Sequence, residues 1–207
     1  YVCHRIAFVR QNMMCMRRWF ILALLALSSL VYANTYYVAS SGGKDSNPGT
    51  LSQPWATWQY AFNKLSAGDT LYVRGGTWSP TSAVLVNSIS GTFNNNIYIL
   101  NYPGELPVLD CSNFTNTGSN DRGLVFSDCI YLYVRGLTIQ NCKQKVNDQY
   151  IVGVAVVNAI GGPFWLDQVT SHGHWGHGFQ WSGYDTLYVT NCDSYNNADS
   201  ISVVEGI

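Results

Sequence analysis

The chain has 207 residues, 47% hydrophobic, 14% aromatic and 11% charged, with a formal net charge of −1. That is too apolar for a disordered chain and too short for two large domains. All four of Arg5, Arg10, Arg17 and Arg18 precede the first acid, Asp45, so beyond residue 33 seven basic groups face twelve acidic ones. A basic nucleic-acid-binding face is excluded, because neutralising phosphates needs clustered Lys and Arg.

Tyr1 is not an initiator, and residues 1–15 show neither strand alternation nor a helical stripe, so they are expected to be overrun upstream of the true start. Residues 16–33 have the layout of an export signal: Met16-Arg17-Arg18 is positive, Trp19 to Leu30 is apolar, and Val31-Tyr32-Ala33 offers a small-residue cleavage site before Asn34. The apolar run from Trp19 to Val31 is 13 residues, whereas a membrane span needs about 20. The expected product is secreted and leaves the membrane once the signal is cut.

Residues 34–70 are predicted to form an N-terminal cap. Thr35 to Ala39 alternates as a strand, Ser40 to Thr50 is a Gly, Ser, Asn and Asp loop, and Trp55, Trp58, Phe62 and Leu65 recur at helical spacing until Gly68-Asp69. Such a helix is expected to cover the open end of a core and shield its first edge.

From residue 71 to 207 one pattern, apolar-aromatic-apolar, returns five times: Leu71-Tyr72-Val73, Ile97-Tyr98-Ile99, Leu132-Tyr133-Val134, Phe164-Trp165-Leu166 and Leu187-Tyr188-Val189. A second element, Gly123 to Phe126, Gly153 to Val156 and Gly178 to Trp181, precedes the last three. Short strands recurring every 23 to 35 residues, separated by Asn, Asp, Gly and Ser, specify a solenoid of strands. Period-two alternation points the flanking apolar residues inward and sets Tyr72, Tyr98, Tyr133, Trp165 and Tyr188 in an outward column. Asn141, Asn191 and Asn197 are predicted at sharp left-handed corners, and the longest loop at Lys143 to Tyr150.

Four cysteines remain beyond the signal, Cys111, Cys129, Cys142 and Cys192; they are either disulfides, in a pairing the sequence does not choose, or buried thiols. Ser171 to Gly178 brings together His172, His174 and His177, which suit transition-metal binding, carbohydrate contact or simple loop filling. With Gln180 in the strand that follows, they are candidate substrate-binding residues. Asp193 and Asp199 are candidate cation ligands or turn caps. Arg122, Arg135, Lys143 and Lys145 would suit an acidic sugar chain if they shared a face.

Tyr36-Tyr37-Val38-Ala39, the loop Gly43 to Thr50, Pro54-Trp55 and the run Ala67 to Thr77 resemble the cap and first coil of secreted right-handed parallel β-helix proteins of the pectate-lyase-like superfamily. Asn191 to Asn197 is similar to a coil of family nine polysaccharide lyases. The resemblance implies an all-β fold, a right-handed parallel β-helix with an N-terminal capping α-helix. It also implies calcium-dependent β-elimination on an acidic polysaccharide such as pectate. In those lyases a lysine is the base and aspartates hold the calcium, in motifs that follow the coil matched here. Neither motif occurs by Ile207, so the resemblance assigns no catalytic residue and no calcium ligand, and the chain is expected to be an N-terminal, truncated part, inactive by itself. The alternative is a non-catalytic carbohydrate-binding or adhesion module.

Overall fold

The computed structural model describes residues 33–115, 120–143 and 150–198; the predicted overrun, nearly all of the export signal, Lys145 and Asp199 lie outside them. Strand β1 (Thr35–Val38), helix α1 (Trp58–Phe62) and strand β2 (Thr70–Val73) open the fold. β3 (Gly76–Trp78), β4 (Val84–Asn87), β5 (Ile97–Asn101) and β6 (Pro107–Asp110) follow. Then come β7 (Asn120–Ser127), β8 (Leu132–Arg135) and β9 (Thr138–Gln140). β10 (Tyr150–Asp167), β11 (Thr170–His172), β12 (His177–Thr190) and β13 (Asp193–Tyr195) complete the described chain.

Every pairing between these strands is parallel. The strands wind as coils with three faces. The first face holds β4, β7 and the N-terminal halves of β10 and β12. The second holds β1, β2, β5, β8 and the C-terminal halves of β10 and β12. The third is a separate sheet in the order β13-β11-β9-β6-β3. β10 pairs with β7 through Tyr150 to Val157 and with β8 through Phe164 to Asp167, so one long strand bends across the corner and joins the first two faces.

The corners are made by single residues in the left-handed region. Between the first and second faces stand Ser88, Asp128, Asn158 and Gly183; between the second and third, Gly136, Gln168 and Asn191; after the third, Asn141, Gly173 and Asn196. Each row is tied by the same hydrogen bond, from a corner N–H to the carbonyl just before the corresponding corner one coil later. Examples are Asp128 to Val157, Gln168 to Thr190 and Asn141 to His172. Asn141 and Asn191 are corners as predicted, but the third is Asn196 rather than Asn197. Asn197 instead uses its side chain: Oδ1 accepts from His174 N–H at 3.2 Å and Nδ2 donates to Ser171 O at 3.1 Å.

Inward residues stack as the alternation requires. Leu71, Val73, Ile97, Ile99, Leu132, Val134, Phe164 and Leu166 are all buried in one core, whereas Leu187 packs half-buried against it and Val189 is 38% exposed on β12. The outward aromatic column breaks in one place. β2 and β5 pair with Tyr72 opposite Leu100 and Thr70 opposite Tyr98, which offsets the two tyrosines by two residues. Tyr72 stacks with Tyr37 instead at 5.7 Å, and the continuous column is Tyr98, Tyr133, Trp165 and Tyr188.

The cap helix is shorter than its apolar spacing predicts. Trp55 lies in extended backbone that bridges to Val38, and Leu65 lies beyond the helix. Asp45 sets the boundary, accepting from the N–H groups of Ala56 and Thr57, both at 2.9 Å, and from Thr57 Oγ1. Thr57 then caps the helix by accepting from Tyr60 N–H. Trp58 and Phe62 reach into the core, Phe62 stacking on Phe126, so the short helix does cover the first end of the stack. Cys111, Cys129 and Cys192 are free thiols, and burial pushes the Cys129 thiol up to about 11. Cys142 is buried in the core. Among the described residues no helix is long and apolar enough to cross a membrane.

Candidate functional site

Parallel register puts side chains from successive coils side by side on the outer face of the first sheet. Arg122, Val152 and His177 form one row, and Val125, Ala155 and Gln180 the next. Val125, Val152 and Ala155 make a small buried cluster, distinct from the main core and flanked by Tyr150 and Val157. Around this apolar floor the polar groups are under-used: Nε of Arg122 and Oε1 of Gln180 are buried without a hydrogen-bond partner. A buried unpaired donor or acceptor costs about 1–3 kcal/mol. Both atoms are closed to solvent, so each side chain must turn outward before these atoms can meet a ligand.

His177 stands over the Tyr150 ring at 5.2 Å, and burial lowers its pKa, so it is neutral at pH 7. Beside it a cavity of about 450 Å³ is lined by Tyr150, His177, Gln180, Trp181, Val189 and Cys192, among others. Gln180 and His177 belong to the outer face and Val189 to the inner one, so the cavity runs along the edge of β12 that no other described strand pairs. Apart from that cavity, the outer face itself offers a guanidinium, an amide, a neutral imidazole and the Tyr150 ring without an acid among them, which can hold a hydroxyl-rich, negatively charged ligand.

The structure brings His177 and Gln180 together and places the other two histidines elsewhere. His172 lies flat on Tyr195 on the third face, at 4.6 Å and 4°. His174 is fully buried. Asp193 is exposed on β13, opposite Thr170. Among the described residues no three of His, Cys, Asp and Glu converge on a point that would hold a metal ion. The basic groups do not share a face: Arg135 pairs in register with Asp167 on the second face, and Lys143 reaches over the Trp175 ring at 5.7 Å.

Sequence reasoning missed Asp167. Its carboxylate accepts from Tyr133 Oη at 2.8 Å, Thr190 Oγ1 at 2.9 Å and Asn191 Nδ2 at 3.0 Å, and is only 9% exposed. Burial pushes its pKa up, but the hydrogen bonds from Asn191, Tyr133 and Thr190, with the charge of Arg135, outweigh that and hold it below the ordinary carboxylate range. All its partners come from neighbouring coils, so no local motif announces it.

Residues 36–206 match the family described as Pel9A-like, right handed beta helix region. Pectate lyase PEL9 of Emericella nidulans is 29% identical over 84% of this chain and 42% of its own length. The uncharacterized protein YwoF of Bacillus subtilis is 29% identical over 68% of this chain and 32% of its own. Among solved structures, a rhamnogalacturonan lyase superposes with a TM-score of 0.65 at 23% identity, covering 83% of this chain and 43% of that one. A GH136 lacto-N-biosidase from Eubacterium ramulus gives 0.61 at 21%, covering 84% and 36%. At these identities the structural likeness is one of fold. The chain spans less than half the length of each of these relatives.

Proposed function

Because the chain belongs to the Pel9A-like right-handed β-helix family, we propose that it is the cap and first coils of an exported, polysaccharide-active protein, a β-eliminase on uronate polymers such as pectate. The observation that carries the reading is the outer face of the first sheet, where Arg122, His177 and Gln180 from successive coils stand in adjacent rows over an apolar floor and His177 stays neutral. A cation there suits a uronate carboxylate, an amide suits a ring hydroxyl, and the ring of Tyr150 suits the apolar face of a sugar.

Elimination also needs a base for the proton beside the carboxylate and a positive partner for the charge that develops there. In calcium-dependent lyases the ion supplies that partner. The described residues do not fit a calcium cage, since no carboxylate cluster forms among them and Asp193 stands exposed. In our reading this chain's own residues bind and orient the polymer, while the base and the calcium ligands come from coils outside residues 1–207.

The test uses the product of the whole open reading frame on polygalacturonate, followed by the ultraviolet absorbance of unsaturated uronate ends with and without a chelator. The reading expects chelator-sensitive absorbance, and a several-fold rise in KM with little change in kcat for Arg122→Ala. Chain cleavage that releases reducing ends without that absorbance would identify a hydrolase and overturn it.

A further inference from the structure

The second face carries a groove that the uronate-binding reading does not use. Its floor is a row that register sets side by side, Asn96, Tyr131 and Pro163, fixed by Ile97 N–H to Tyr131 O at 2.9 Å and Tyr131 N–H to Pro163 O at 2.6 Å. One wall is the next outward row, with Tyr98 and Trp165. The other is the turn that carries Phe93 and Asn94. The groove encloses about 400 Å³, within the range of ligand-sized cavities.

Three features set this groove apart from an ordinary stretch of coil. Phe93 is 75% exposed, yet its turn is pinned by paired Thr92 and Asn95 backbone hydrogen bonds and by Gly68 N–H to Asn95 O. An exposed ring on a fixed turn exposes apolar surface without gaining freedom, which folding alone does not favour. Tyr131 holds φ at 53°, an unfavourable conformation for a bulky side chain, and glycine at 162 leaves room for its ring where a Cβ would collide. Tyr98 and Tyr133 are tilted by 51°, and Tyr133 and Trp165 by 44°, so the column does not close on itself face to face at this point.

The lining is four aromatic rings, two amides and a proline, with no Asp, Glu, Lys, Arg or His. That is the complement of a sugar with an apolar ring face and hydroxyls at its edge, and it offers nothing to a carboxylate. We infer that this groove is a second carbohydrate site, on a different face from Arg122, His177 and Gln180, and that it takes an uncharged glycan segment. It would anchor the protein on neutral polysaccharide while the first face engages uronate.

Affinity electrophoresis of the full chain through gels containing β-1,4-galactan, arabinan or xyloglucan, with polygalacturonate as the charged comparison, tests this. Retardation is expected in at least one neutral gel and is expected to persist at high salt, since no charge pair is involved. Phe93→Ala and Tyr98→Ala should each weaken it by roughly two- to tenfold, the loss of one ring contact. Leu106→Ser, at another exposed apolar position, should leave it unchanged. Circular dichroism of each variant separates lost binding from lost folding. Retardation in polygalacturonate alone, in no gel, or equally by folded Phe93→Ala and Tyr98→Ala would overturn the proposal. None of these outcomes depends on eliminase activity, so failure here and failure of the uronate reading are distinguishable.

Discussion

Nδ1 of His174 accepts the backbone N–H of Cys142 at 3.0 Å, 32 residues earlier in the chain, and that contact fixes the whole hydrogen-bond chain behind it. With Nδ1 an acceptor, the proton sits on Nε2 and donates to Ser171 Oγ at 3.0 Å, whose hydroxyl donates to Gly178 O at 2.6 Å. A second ring proton would point at a backbone N–H. Burial, with the nearby His172, pushes the pKa of His174 down to about 3. The unfolded chain takes up a proton near pH 6.5 and the folded one does not, so acid favours unfolding. Stability is therefore expected to fall by about 1.4 kcal/mol per pH unit between roughly pH 6 and 4 on account of this residue. Urea unfolding across that window should show a shallower slope for His174→Gln, which will also be less stable at pH 7.5. His177, whose pKa burial also lowers, adds to the same window, and His177→Gln isolates its share. An unchanged slope in His174→Gln would contradict the assignment.

The same chain leaves no room at Gly153, where a Cβ would run into Nε2 of His174 and Oγ of Ser171. Gly153→Ala should destabilise by about 2–4 kcal/mol through overpacking and a broken buried network. A melting temperature within two degrees or so of the parent would show that the coil can shift to absorb a methyl group.

Gln168 is a non-glycine corner at φ 54° with its side chain exposed, between Gly136 and Asn191 in the same row. Gln168→Gly relieves the left-handed cost and loses no packing, so about 0.5–1 kcal/mol of added stability is expected after allowing for the freer unfolded chain. Thermal unfolding of the pair checks this, and a lower midpoint for the glycine variant would refute it.

Asp45 receives three hydrogen bonds at the point where the extended segment at Trp55 becomes helix α1. Asp45→Ala should cost about 1–2 kcal/mol and raise amide exchange at Ala56 and Thr57 selectively. Exchange that rises evenly over the cap would argue that the carboxylate is incidental.

Much of this fold is legible in the chain because the coil repeats its physics. Ile97, Ile99, Leu132 and Val134 are inward for the same reason, and alternation around one aromatic residue exposes it each time. Register between coils is less legible: Tyr72 and Tyr98 carry the same local pattern yet are offset by two, because loop lengths outside the pattern decide which residues meet. Ser88, Asp128, Tyr131 and Gln168 hold positive φ without the glycine or asparagine that signals it, the surrounding ladder over-determining their backbone. The histidines look like one cluster in sequence, but residues 172, 174 and 177 straddle the Gly173 corner and the start of β12, which sends one to a sheet face, one to the core and one to another face. Asp167 and the Arg122 and Gln180 pair are assembled only across coils, where no spacing rule reaches.

The corner ladders have a consequence for how such a molecule changes over time. Each corner amide needs only a carbonyl at the same place one turn later, whatever the sequence in between. A duplication or loss of one whole turn therefore restores every rung, whereas a one-residue slip within a strand would reverse inside and outside. Variation in length should accumulate as whole windings, or in segments that leave the ladder, such as the Phe93 turn. The groove beside that turn and the face around Arg122 can then diverge independently on a scaffold whose cross-section stays constant.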